Sequence, residues 1–396
     1  MERDGLKIAV VALARAQRPC GVMRHASALT NALLACDENA SIDLIAGDWQ
    51  ARLLAEQFDL RDERLRIRAV RIANTSISRN RWYWNGLPRL TRELRPDILH
   101  LAFPNLIHRS RLSCPVVTTL HDLYPYDIPQ NFGYPQVFFN RLILRQCLEN
   151  CDAIACVSQA TMNRLPSCGF MKAARKAVVV PNCVELGRAA AAGPQGLSRG
   201  SRRFLLFVGQ QRANKNIPLL LGAFHRLRES RGIDDGTLLV LAGDRGPETR
   251  AVMRCIRSLG LSEVVFQLEA VLDGPLRWLY EHAELLVAPS VVEGFGYPVA
   301  EALLSGTRVV CSDIPAFREI GGDRCVYFHC AGNAEENLAD SICRALEQPF
   351  RSGQRLERFS KSAVGEQALA LYRRLCQAQE RSRQTAPQPN VLPVGP

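Results

Sequence analysis

No stretch of this 396-residue chain approaches the roughly 20 consecutive apolar residues of a membrane-spanning helix. The start, Met1-Glu2-Arg3-Asp4-Gly5-Leu6-Lys7, lacks the layout of a secretory leader and enters an apolar strand directly. The 14 cysteines contain no Cys-x-x-Cys pair, which argues against zinc-ribbon and dithiol redox motifs. Cys147, Cys151 and Cys156 come nearest to a cluster. Cys151 and Cys156 flank and occupy an apolar run, Asp152-Ala153-Ile154-Ala155-Cys156-Val157, so they read as small buried hydrophobes. No Asp-x-Asp pair suited to bridging a metal occurs either. These absences lead us to expect a cytosolic protein with reduced thiols.

What is present is core-forming material. The apolar fraction is 47%, enough for two ordinary domains over this length. The net charge is +11 and unevenly spread. Residues 1–190 hold 25 Lys and Arg against 17 Asp and Glu, whereas residues 191–396 hold 25 against 22. Between residues 61 and 95 lie ten arginines and only three acids, with Trp82, Tyr83 and Trp84 in their midst. Basic residues beside interfacial aromatics suit an anionic membrane surface or an anionic acceptor. An arginine-rich solvated surface is the plainer alternative. Nucleic acid rests on charge alone and is not an expected partner.

Short apolar runs alternate with helical patterns twice over. The first half reads as strands at Leu6–Leu13, Ile42–Ala46, Leu65–Ile72, Asp97–Phe103, Pro115–His121, Ala153–Val157 and Ala177–Val180, with a helix from Val22 to Ala35. A Gly-, Ala-, Ser- and Arg-rich stretch, Gly187 to Arg202, reads as a linker. Strands resume at Phe204–Gly209, Leu238–Ala242, Val264–Leu268, Leu285–Ala288, Arg308–Cys311 and Val326–Phe328. Repeated βα units predict an α/β fold of two doubly wound, Rossmann-like parallel-sheet domains, 1–190 and 203–362, facing across a cleft. A last helix spans 363–380, and the tail 385–396 has a disordered composition.

The chemistry concentrates in Glu293-Gly294-Phe295-Gly296-Tyr297-Pro298-Val299-Ala300-Glu301. One carboxylate sits above the carboxyl end of a buried strand, and the other lies one turn into the next helix. Gly294 and Gly296 let backbone approach a ligand closely. The free N–H groups of the helix start favour an anion. A phosphate-bearing ligand with hydroxyls to anchor suits this arrangement. The second half's first strand ends in Val208-Gly209-Gln210-Gln211-Arg212-Ala213-Asn214-Lys215-Asn216. Gly209 lets the chain turn there. Arg212, as a fork, and Lys215, as a point charge, are placed to meet a diphosphate. Gly243 and Gly246, after the following strand, read as turn residues on the rim. In the first half, His121 ends a strand beside Asp122 and is placed to bond a sugar hydroxyl. Gly21, opening the first helix, can let its loop approach a phosphate or an acceptor. His100 reads as a core residue.

Taken together these segments resemble the family 4 (group 1) glycosyltransferases of the GT-B fold, over nearly the whole chain. The Glu-x7-Glu element at Glu293 and Glu301 carries most of the resemblance. Val208-Gly209 with Arg212, Lys215 and Asn216, then Gly243-Asp244 and Ala288-Pro289-Ser290, add to it. So do Arg95-Pro96-Asp97-Ile98-Leu99-His100, His121-Asp122-Leu123, Val157-Ser158, Val180-Pro181-Asn182 and Phe359-Ser360. Three departures stand out: Cys20-Gly21 for Gly-Gly, Cys183 for a glycine after Asn182, and Tyr297 for a leucine before Pro298.

The resemblance implies a retaining transfer of a hexose from a nucleotide diphosphate sugar to a glycan or lipid-linked acceptor. Arg212 and Lys215 would bind the donor diphosphate and Glu301 the ribose hydroxyls. Glu293 would face the donor sugar, and Phe295 and Gly296 would offer backbone N–H groups. His121 would lie near the reacting sugar, and the last helix would cross back to the first domain. No metal or other cofactor is implied. GDP-mannose and UDP-hexoses both suit these motifs, and His121-Asp122-Leu123 inclines the reading to mannose. The implied place is the cytoplasm, peripheral to the inner face of the cell membrane, in polysaccharide or lipopolysaccharide synthesis. The rivals are an epimerase or phosphorylase of the same fold, and a non-catalytic glycan- or nucleotide-binding partner.

Overall fold

The computed structural model describes residues 5–18, 20–58, 60–186, 190–194, 197, 203–349 and 356–385. Two parallel-stranded sheets organise the chain. The first contains β1 (Lys7–Val11), β2 (Ser41–Gly47), β3 (Leu65–Val70), β4 (Ile98–Leu101), β5 (Val116–Leu120), β6 (Ala153–Cys156) and β7 (Ala177–Val179). Its spatial order is β3-β2-β1-β4-β5-β6-β7. The second contains β8 (Phe204–Val208), β9 (Leu238–Ala242), β10 (Val265–Leu268), β11 (Leu285–Ala288), β12 (Arg308–Ser312) and β13 (Val326–Phe328), in the order β10-β9-β8-β11-β12-β13. All five pairings of the second sheet are parallel. Both sheets reverse direction of build after their first strand, between β1 and β4 and between β8 and β11. In doubly wound sheets the loops at such a reversal splay apart and leave room for a ligand.

The strands pair this way because their apolar runs need cover on both faces. β8, β9 and β11 are buried along nearly their whole length. One face of the second sheet packs under Trp278, Leu279, Val299 and Phe317, and the other under Ile217, Leu220, Phe224 and Leu338.

By compactness the chain divides into residues Met1–Thr119 with Gln146–Ala155 and Lys361–Pro396, and Leu120–Arg145 with Cys156–Ser360. In the first unit the final helix, Lys361–Thr385, packs along the helix Gly21–Cys36. Gly365 sits so close that a Cβ there would stand 2.4 Å from the Ala32 carbonyl oxygen. Beneath it Tyr372 Oη meets His100 Nδ1 at 2.6 Å, His100 Nε2 meets Thr119 Oγ1 at 2.7 Å, and His25 Nε2 reaches the same hydroxyl at 3.0 Å. His100 is therefore a core residue, as expected.

Some expectations need correction. The strand expected over Leu6–Leu13 ends at Val11. Beyond it, side chains take over the backbone's bonds: Gln50 Oε1 accepts from Ala14 N and the Tyr83 hydroxyl donates to Leu13 O. Tyr83 is thus buried and is no interfacial aromatic. Arginines of the 61–95 stretch are partly spent inside the unit. Arg64 pairs with Asp62 and reaches the carbonyls of Leu34, Asp37 and Glu38, and Arg68 pairs with Asp43. The final helix is longer than 363–380, because neither Lys361-Ser362 before it nor residues 381–385 after it bring a Gly or Pro to break it. Most of the expected linker and nearly all of the tail from 385 lie outside the described residues. Seven of the cysteines, Cys147, Cys151 and Cys156 among them, are buried, and no disulfide joins any two among the described residues.

Candidate functional site

The site grows from the loops that leave β8 and β11, the strands at the reversal of the second sheet. They are stitched together by Asn214, fully buried, whose carbonyl accepts from Val291 N at 2.8 Å and whose side-chain amide donates to Val292 O at 3.4 Å. The stitching brings Lys215 Nζ to 2.6 Å from Glu293 Oε1, with side chains only 16% and 8% exposed. Two residues expected on opposite loops thus form one buried ion pair.

The other carboxylate oxygen, Oε2, accepts from the Tyr124 hydroxyl at 2.9 Å. Asn214 Nδ2 donates to that hydroxyl at 3.3 Å. Asn131 Nδ2 in turn donates to Asn214 Oδ1 at 3.2 Å, while Asn131 Oδ1 accepts from Ala213 N at 3.2 Å. Arg212 stands at the head of the same turn, its Nε bonded to Gln210 Oε1 at 2.6 Å.

Gly294 shows why glycine stands beside the carboxylate. A Cβ there would lie 1.6 Å from the carbonyl oxygen of His121, and the Gly294 carbonyl accepts from Ser158 Oγ at 2.5 Å and Thr161 Oγ1 at 3.0 Å. The strand end bearing His121 and Asp122 is thereby pressed against the Glu293 loop. Gly243, at φ 152°, nests on Gly209: a Cβ on it would meet the Gly209 carbonyl oxygen at 2.2 Å. Gly296, at φ 119°, is the N-cap of the helix Tyr297–Leu304, which no side chain caps. Phe295 buries its ring edge-on against Phe359 and Tyr297. Within that helix Glu301 is 4% exposed, and its Oε2 accepts from the Tyr280 hydroxyl at 2.8 Å.

Gly21 opens its helix as expected, in the first compact unit, and a Cβ on it would meet nothing within 4 Å.

Electrostatics single out Asp122. Loss of hydration pushes its carboxyl up to about 6; the Tyr124 backbone N–H pulls it down, the charge of Glu293 raises it, and Arg212 opposes. Burial likewise lifts the Tyr124 phenol well above its ordinary value, so it remains a donor. Beside these groups lies a cavity of about 290 Å³, walled in part by Asp122, Tyr124, Asn163 and Glu293. Its Arg164 is paired with Asp127. Among the described residues no group of three His, Cys, Asp or Glu could hold a metal ion. No helix among them is long and apolar enough to cross a membrane.

Sequence reasoning missed Tyr124, Asn131, Asn214 and Tyr280. Asn214 was within reach, since it sits between Arg212 and Lys215. Tyr124 and Asn131 carry no spacing signal, because their partners lie 82 to 169 residues away.

Residues 19–188 match the profile described as Glycosyltransferase Family 4, and residues 193–364 that described as Glycosyl transferases group 1. The chain is a family 4, group 1 glycosyltransferase. Among relatives of this glycosyltransferase, the O-antigen chain mannosyltransferase RfbU of Salmonella typhimurium is 28% identical over 58% of this chain. The match spans 60% of that relative's length. An MMP alpha-(1->4)-mannosyltransferase of Mycolicibacterium hassiacum is 31% identical over 40% of this chain and 39% of its own. Anabaena HepE, solved in complex with UDP and glucose, superposes with a TM-score of 0.61 at 15% identity, covering 96% of this chain and 98% of its own. WaaG, a glycosyltransferase involved in lipopolysaccharide biosynthesis, gives 0.62 at 17%, over 96% and 100%. At these identities the likeness shows the fold, which is GT-B.

Proposed function

We propose that this glycosyltransferase moves a hexose, mannose in the first instance, from a nucleotide diphosphate sugar to a hydroxyl of a glycan or lipid-linked acceptor, with retention at the anomeric carbon. The observation that carries the reading is the buried Lys215–Glu293 pair at the sheet reversal, with Arg212 on the same turn. It sets cations for a diphosphate beside a carboxylate for sugar hydroxyls. The mannosyltransferase names of RfbU and of the Mycolicibacterium enzyme support the choice of sugar.

In this mechanism the acceptor oxygen bonds to the anomeric carbon as the carbon–phosphate oxygen bond breaks. The departing diphosphate takes the acceptor's proton on the same face. Arg212, Lys215 and the positive end of the Tyr297–Leu304 helix dipole stabilise the charge that develops on it. Glu293 and His121 hold the sugar, and Glu301 the ribose. No step calls for a metal, and turnover is expected to survive excess chelator. The arginines between 61 and 95 support a place at an anionic membrane face, which flotation with anionic and neutral liposomes tests.

The deciding experiment is calorimetry with GDP, UDP, GDP-mannose and UDP-glucose, with the Arg212→Ala/Lys215→Ala double variant as control. Binding of one nucleotide family, lost in the double variant, is the expected result. Equal binding by the double variant would refute the assignment. An epimerised nucleotide sugar, or a requirement for free phosphate, would favour the rival enzymes.

A further inference from the structure

Glu293 is held at both carboxylate oxygens, from two different loops: Lys215 on Oε1 at 2.6 Å and Tyr124 on Oε2 at 2.9 Å. The two partners differ in kind. Lys215 is a mobile cation on a four-carbon stem, and an incoming diphosphate competes for it. Tyr124 is rigid and stays protonated, and its hydroxyl also receives the Asn214 amide, which Asn131 braces from behind. A diphosphate is drawn to the ammonium far more strongly than to a neutral phenol. When a diphosphate draws Lys215 away, Oε1 loses its partner while Oε2 keeps its own.

We propose that Tyr124 is the positioning residue of the donor site: braced by Asn214 and Asn131, it fixes the plane of the Glu293 carboxylate, so that Oε1, vacated by Lys215, accepts a hydroxyl of the donor sugar. This inference rests on the functional reading above. It adds an exchange of partners. A nucleoside diphosphate alone takes Lys215 and leaves a buried carboxylate oxygen bare, at a cost. A nucleotide sugar takes Lys215 and returns a hydroxyl to the same oxygen. The site therefore favours the intact donor over the spent nucleotide, and the preference depends on a phenol that touches neither phosphate nor, in this geometry, the reacting atoms.

The test compares the full chain with its Tyr124→Phe variant, which keeps the ring and deletes the hydroxyl. Affinities for the nucleoside diphosphate and for the matching nucleotide sugar are measured by calorimetry, and kcat and KM by transfer assay. The expected result is a diphosphate affinity within about twofold of the parent, with nucleotide-sugar affinity and kcat/KM lowered about tenfold to a hundredfold, the range for one hydrogen bond to a charged group. Asn131→Ala, which leaves the phenol and removes its brace, is expected to show the same pattern more weakly, and it serves should Tyr124→Phe fail to fold. Equal loss of both ligands would mean a merely structural role and would overturn the proposal, as would donor binding and turnover unchanged from the parent. A parent chain that binds no nucleotide at all overturns the functional reading and this inference with it. A parent that binds normally beside an indifferent Tyr124→Phe variant overturns this inference alone.

Discussion

Breaking the Lys215–Glu293 pair tests whether the two loops at the sheet reversal form one energetic unit. Both side chains are largely out of water, and the charged atoms stand 2.6 Å apart. At an effective dielectric of about 20, unit charges near 4 Å attract by roughly 4 kcal/mol, much of it offset by lost hydration. Removing one partner leaves the other charge buried, at a cost of about 3–5 kcal/mol for a fully enclosed pair. Two features lower that figure here. Lys215 retains a path to solvent, and Glu293 retains its bond from Tyr124. We therefore expect Lys215→Met and Glu293→Gln each to cost about 2–3 kcal/mol, and the double variant no more than either, a coupling of at least about 2–3 kcal/mol. The assay is urea unfolding read by Trp278, the one tryptophan of its compact unit and 3% exposed, with Trp49, Trp82 and Trp84 replaced by Phe. Additive single costs would refute the reasoning, since residues that do not share a partner add.

Three further outcomes are expected. Gly294→Ala places a methyl 1.6 Å from the His121 carbonyl oxygen, backbone against backbone, and should cost more than about 3 kcal/mol or abolish soluble expression; a melting temperature within a degree of the parent's would contradict the packing. Asp122 titrates higher in the folded chain, about 6 against 3.8, so its ionisation opposes folding, and the stability it spares at low pH is lost as pH rises through about 6. Asp122→Asn should then be more stable than the parent at pH 7.5, by at most roughly 3 kcal/mol, with the gap closing below about pH 4; a pH-independent difference would show that the carboxyl is not desolvated. Tyr280→Phe strips the buried Glu301 of a hydrogen bond and should cost about 1.5–3 kcal/mol, with weaker nucleotide binding, and unaltered unfolding would argue that Glu301 is held by other groups.

The inner strands were legible because a doubly buried strand needs an unbroken apolar run: Leu238–Ala242 and Leu285–Ala288 fall where expected. The ion pair's members were legible as well, each marked by loop chemistry at a strand's end. Their bond to one another was not, since 78 residues separate them and no local period encodes a contact between loops. Tyr124 was hidden for the same reason, on a four-residue helical turn too short for a pattern. Tyr83 misled because an aromatic among arginines looks interfacial until its hydroxyl is found capping the end of β1.

The final helix has a consequence for synthesis. Its packing on Gly21–Cys36, with Gly365 against Ala32 and Tyr372 over His100, completes a core begun by the first strand. A ribosome releases the segments of that core hundreds of residues apart. Until residues 361–385 emerge, the apolar face of Gly21–Cys36 and the ring of His100 lack their cover. The first compact unit to be started is thus the last to be finished, and the nascent chain carries exposed apolar surface through most of its elongation. Chains halted before residue 361 should be bound by holdase chaperones, and a few residues' truncation inside this helix should harm folding more than loss of the tail beyond it.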